Sequence, residues 1–278
     1  GNLVNLIMLD TRIVGRDKPL DLASYFTASG FNTQAYISDI SNPTRRLLGA
    51  EQLSWLQGQL HTAAQTWQVL GQQILMGVME LPAAIVTQQL SIAEFAELAQ
   101  LAQIAATQPE LLSPEQLLKV QQKAPLLKLG NLPYNLDAWD GYPVERANVL
   151  AAAIAAKNNL VVLAGDTHNA WANNLTLGGV AAGVEFATPG VTSPGLETYL
   201  GLNTPEAVLQ AEAAVTQIIP GLDYTNLSNR GYMTASFTPT EVTCEWVFLD
   251  TVKSPVYAID SSRGKVIRVG VNTNKIGA

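Results

Sequence analysis

A layered α/β fold is what this chain of 278 residues predicts, and three observations predict it. Apolar runs of strand length alternate with amphipathic helical stretches through the first two thirds. Alternating β-type sequence comes late, after Gly231. Hydrophobic residues make up 47% of the chain and charged residues only 14%, enough apolar material for the core of one large domain or two small ones, and Ala and Gln fill much of the surface.

The elements follow in order. Leu3–Arg12 is an apolar run of strand length that ends in Asp-Thr-Arg. Residues 15–43, punctuated by Gly, Ser, Asn and Asp, read as a long loop. Leu53, Leu56 and Leu60 then share one stripe of an amphipathic helix with Trp55 beside it, and residues 66–77 read as a second buried strand. Residues 84–129 read as a two-helix insertion. Ser91 and Glu94 fit a capping box, Leu98, Leu101 and Ile104 continue that helix, and Ser113-Pro114 opens another. An Asp- and aromatic-rich loop leads into Pro143 and a helix. Residues 160–165 and 183–191 read as further buried strands, and Thr204-Pro205 starts a helix that reaches about Ile219. Residues 232–252 read as two strands about Thr238-Pro239-Thr240, and residues 256–272 as a hairpin about residues 261–265.

Composition excludes several functions. The net charge is −7 and the only basic cluster is Arg45-Arg46, which argues against a nucleic-acid surface. Mean hydropathy is slightly positive, +0.14, yet no apolar run approaches a membrane span. The single cysteine, Cys244, excludes an internal disulfide framework and reads as a strand residue. There is no Gly-x-Ser-x-Gly elbow, Walker A loop or Gly-x-Gly-x-x-Gly fingerprint.

Chemistry concentrates after residues 160–164, where the apolar run stops at Gly165-Asp166-Thr167-His168. Functional loops of open α/β sheets lie past the carboxyl ends of strands. An Asp-x-His pair there can bind one metal or bridge two; the alternative is a locally hydrogen-bonded His with Asp capping a following helix. The other histidine, His61, reads as a surface residue, which excludes multi-histidine zinc sites. Further ligands would then be oxygens, which suit calcium, magnesium or manganese. Asp137 and Asp140, in Asp-Ala-Trp-Asp-Gly-Tyr, offer carboxylates, or simply an Asx turn. Asp10 and Arg12 can reach the same sheet edge, with Arg12 contacting an anion or, more simply, closing a structural salt bridge.

Together, residues 6–12, the stretch RRLLGAEQLSWLQGQL, TWQVLGQQ, DAWDGYPVER, NNLVVLAGDTHNAW and VEFATPGVTSPG, in that order, resemble the PhoD-like alkaline phosphatases of the metallophosphoesterase superfamily. The resemblance covers residue 3 to about 250. It implies a phosphomonoesterase or phosphodiesterase, a four-layer α/β/β/α sandwich, and calcium and iron at the strand ends. It places Asp166 and His168 at metal-ligand positions and makes an Asp of DAWDGY, Asp140 ahead of Asp137, a calcium ligand. Export to the periplasm or outside the cell is implied as well. Members of the family carry further Asp, Asn and often Cys ligands ahead of the Leu-Asp-Thr-Arg strand, and this sequence has none of those motifs. The chain is therefore expected to be the C-terminal part of such a domain, holding one wall of the metal centre. It is expected to be inactive alone or to work with the missing half supplied as another chain. Two other readings stand: a phosphodiester or phospholipid esterase, with residues 15–43 and the helical insertion shaping its pocket, and a non-catalytic scaffold.

Overall fold

The computed structural model describes residues 1–28 and 30–277. Six strands form the main sheet: β1 (Val4–Met8), β2 (Trp67–Gly71), β3 (Leu160–Ala164), β4 (Ala170–Leu177), β5 (Val180–Ala187) and β6 (Leu222–Asn226). Their order is β1-β2-β3-β5-β4-β6. The pairs β1–β2, β2–β3 and β3–β5 are parallel, so four carboxyl ends share one edge of the sheet. The β4 strand runs antiparallel to both β5 and β6. All five residues of β2 are buried, as are four of five in β3. A strand covered on both faces reads as an apolar run, which is how these two are legible in the sequence, with Gln68 the one polar residue in β2.

Helices cover one face. On it α2 (Ala50–Thr62) and α5 (Pro143–Ala155) bury Leu53, Leu56, Leu60, Val149 and Leu150 against Ile7, Leu70 and Val162. On the other face Trp67, Val69, Val161, Val184 and Phe186 meet Val242, Cys244, Trp246 and Phe248 of a second sheet. That sheet consists of β7 (Arg230–Phe237), β8 (Glu241–Leu249) and β9 (Lys265–Gly270), all antiparallel. The described residues thus stack as helices, sheet, sheet. The outer face of the second sheet carries exposed Tyr232 and Val266.

Several expectations change. Residues 15–43 are not a bare loop: they hold α1 (Thr33–Ile40) and a 3-10 turn at Leu22–Tyr25, and Tyr25, Tyr36 and Ile40 join Ala83, Leu132 and Leu136 in a small core. Polar punctuation conceals the ring cluster of Tyr25, Phe26, Phe31 and Tyr36, because polar residues stand between Phe26, Phe31 and Tyr36. The second strand stops at Gly71, since the backbone turns to place Gln72 and Gln73 at the sheet edge. Strands β4 and β6 went unread; β4 opens Ala-Trp-Ala-Asn-Asn, and its buried Asn173 breaks the apolar pattern. The expected tail hairpin does not form. Instead β9 pairs with β8, and only one isolated bridge, Leu249 with Ile259, involves residues 256–260. In the 84–129 stretch lie α3 (Ile92–Thr107) and α4 (Pro114–Lys123), each opened by a reciprocal capping box. A last helix, α6 (Pro205–Ile218), packs Ala211 and Val215 near Trp171 on the helical face.

Candidate active site

The shared carboxyl edge gathers Asp10–Arg12 after β1, Gln72 and Gln73 after β2, and Gly165–His168 after β3. One side chain rivets these ends together. The Gln73 carboxamide oxygen accepts from Thr11 N at 2.8 Å and Thr11 Oγ1 at 2.6 Å. Its Nε2 donates to Leu9 O at 3.1 Å, and Gln73 O receives Gly165 N–H at 3.2 Å. Nothing in the sequence pattern distinguishes Gln73 from the many surface glutamines.

Asp10 is occupied by backbone. Its Oδ1 accepts from Ile13 N at 2.7 Å and Arg12 N at 2.8 Å, and these bonds hold its carboxyl below the ordinary range. The turn aims Arg12 across the edge, where Nη1 donates to Asp137 Oδ2 at 2.5 Å and Nη2 pairs with Asp166. Burial works against the Arg12 charge, but the Asp137 hydrogen bond and the Asp166 charge outweigh it and raise the pKa. Arg16 also pairs with the Asp137 carboxylate and donates to Asp137 O at 2.7 Å. So Arg12 joins Asp137 and Asp166 into one cluster, an ion-pair role and an edge position at once.

Asp140 lies elsewhere. Only 7% exposed, it accepts from Met79 N at 2.8 Å beside Arg146, Glu80 and Glu185. Burial pushes its carboxyl up to about 7, against the pull of the Met79 bond and Arg146. Glu185, fully buried on β5, accepts from Met76 N at 2.6 Å, Gly77 N at 2.7 Å and Asn173 Nδ2 at 3.0 Å, and burial likewise raises it to about 7. Arg146 Nε closes the set on Met76 O at 2.6 Å. These groups satisfy the backbone of residues 76–79, a buried turn with few other partners. Trp139 ties the aspartate loop to the end of β2, its Nε1 donating to Gln72 Oε1 at 2.7 Å. Gly141 is obligatory there, because a Cβ would collide with the Leu136 carbonyl.

The Asp166-x-His168 segment is bent by two left-handed residues, Asp166 (φ 65°) and His168 (φ 60°). Non-glycine residues hold such angles at a cost and cluster at functional sites. His168 Nδ1 lies 2.9 Å from Pro194 O. A carbonyl only accepts, so Nδ1 is the donor in this contact. Strand β4 follows, not a helix, so Asp166 has no helix to cap. The donor chemistry of Asp166 and His168 suits a metal. Their number does not: among the described residues no group of three or more His, Cys, Asp or Glu side chains is placed to hold one. These residues do not by themselves fit a metal ion. His61 is exposed at the end of α2, and Cys244 is buried between the sheets.

The family model described as PhoD-like phosphatase matches residues 1–246. The chain belongs to the PhoD-like phosphatase family. It is 25% identical over 268 residues to Alkaline phosphatase D of Bacillus subtilis (strain 168), covering 94% of this chain and 35% of that protein. A solved structure titled "Structure of PhoD" superposes with a TM-score of 0.63 at 23% identity, covering 99% of this chain and 42% of the other. The mixed α/β fold is thus that of a PhoD structure, and the chain spans under half the length of these PhoD relatives.

Proposed function

We propose that this chain supplies the Asp-x-His wall of a phosphoester hydrolase acting on phosphate monoesters. The observation that carries the reading is the joining of Asp137 and Asp166 by Arg12 at one sheet edge, with His168 two residues beyond Asp166, in a chain of this family. In that role Arg12 exchanges a carboxylate partner for a phosphoryl oxygen, a match for its planar fork. His168, held by Nδ1 on Pro194 O, keeps Nε2 out of that hydrogen bond. Family likeness supports calcium and iron as metals of the complete domain; Asp166 and His168 are the side chains this chain would contribute to such a centre, with the remaining ligands coming from elsewhere in the domain. Asp140 stays inside, holding the 76–79 turn.

The rest of the domain is proposed to complete a four-layer α/β/β/α sandwich and to cover β1, whether on the same chain or on a separate one. Supporting this, β1 is an edge strand with Leu6 58% and Met8 64% exposed, followed by Ile13 and Val14, also exposed. Family likeness also supports a periplasmic or extracellular setting; no described helix is long and apolar enough to cross a membrane. The test is turnover of glycerol phosphate, 4-nitrophenyl phosphate and its bis-ester by the complete gene product and by this chain alone. The reading predicts monoester hydrolysis by the former only. Ordinary enzyme rates from the chain alone, or none from the complete product, would overturn it.

A further inference from the structure

Beside Asp166 a cavity of about 120 Å3 opens from the sheet edge toward β4. Its floor is Trp171, 1% exposed, with Leu196 at 9% and Met79 at 8%. Tyr134 and Tyr199 line it while 40% and 67% exposed, which places them at the mouth. The buried Trp171 Nε1–H has no hydrogen-bond partner. An indole donor left dry and unpaired costs free energy unless an acceptor reaches it. The neighbouring polar wall is already committed: Asn169 donates to Leu227 O at 2.7 Å and accepts from Leu196 N at 3.2 Å. A wider depression of about 440 Å3 against α6 is open and far flatter, and Glu212 in it is paired with Arg263.

We infer that this cavity is the leaving-group subsite of the proposed phosphatase, and that it takes a planar ring carrying a hydrogen-bond acceptor at its far end. The inference rests on the phosphoester reading of the Asp166 edge. Three features select the ring. An apolar protein cavity of about 150 Å3 takes up benzene, so this volume suits a single ring and not a long acyl chain. An indole at the floor and two tyrosines at the mouth favour a flat group. The unpartnered Trp171 donor asks for an acceptor on the ring.

The test reads the Trp171 indole proton directly. Among the five tryptophan indole resonances, Trp171→Phe assigns the one that disappears. Titration of this chain with 4-nitrophenyl phosphonate should shift that resonance, and methyl phosphonate at equal concentration should not. In the complete gene product, Trp171→Phe and Tyr199→Ala should each lower the ratio of kcat/KM for 4-nitrophenyl phosphate over glycerol phosphate by about tenfold, because both lose a contact made to the ring alone. An unmoved indole resonance, equal shifts with both phosphonates, or an unchanged ratio in both variants would overturn the subsite. Failure to hydrolyse either ester would sink the phosphatase reading instead, and the indole titration would still decide what the cavity binds.

Discussion

His168 shows how a single residue combines strain and function. Its left-handed backbone angle and its bond to Pro194 O oppose each other energetically. Replacing it with glycine relieves about 1 kcal/mol of backbone cost and forfeits a hydrogen bond of about the same size. His168→Gly should therefore shift the urea midpoint by little while removing the imidazole and lowering the activity of the complete protein by about 100-fold or more; a large loss of stability would show that the ring is a packing residue. Asp166 and His168 were legible in the sequence because a buried strand ending in Gly-Asp-Thr-His is a conspicuous break. Which aspartate of DAWDGY faces them was not legible. Asp137 and Asp140 differ by three positions in a loop, and only the direction of the chain there puts Asp137 beside Arg12 and Asp140 under Met79.

Among elements, the turn of residues 76–79 depends on buried carboxylates. Asp140 and Glu185 both have pKa values raised by burial, to about 7. A group raised in the folded state binds its proton more tightly there than when unfolded. Stability is then fully present below the unfolded pKa and declines as pH rises from about 4 toward 7, by at most about 1.4 kcal/mol per pH unit for each group. Asp140→Asn keeps an acceptor for Met79 N and has no charge to bury. Denaturant melts from pH 5 to 8 should show a shallower decline for this variant than for the parent, and parallel curves would place the ionised form comfortably in the core. In the same loop, Gly141→Ala forces its new methyl onto the Leu136 carbonyl and should cost about 1–3 kcal/mol in the same melts. An unaffected midpoint would mean the loop gives way freely. The parallel strands and the helices α2, α5 and α6 could be read in advance, since both announce themselves by periodicity. Strands β4 and β6 could not, because buried polar residues such as Asn173 and Thr225 interrupt their pattern.

For the whole molecule, the uncovered β1 edge and the outer face of the second sheet are the consequential features. An edge strand with exposed Leu6 and Met8 invites pairing, so this chain alone should self-associate as concentration rises. Met8→Lys should reduce that association in sedimentation velocity, whereas a monomer at every concentration would argue that β1 is sufficiently guarded. The sequence could forecast the layered arrangement of helices and sheets from its alternation of element types. It could not forecast that the described residues stack as helices, sheet and sheet, since layer number depends on what covers the last sheet.

The central claim is that the sheet edge around Asp166 and His168 performs phosphoester chemistry in the complete protein. The most direct measurement is kcat/KM for 4-nitrophenyl phosphate of the complete gene product against its Asp166→Asn and His168→Ala variants, each shown folded by circular dichroism. The account predicts losses of about 100-fold or more in both. Folded variants that retain the parent's rate would contradict it and move the chemistry elsewhere in the protein.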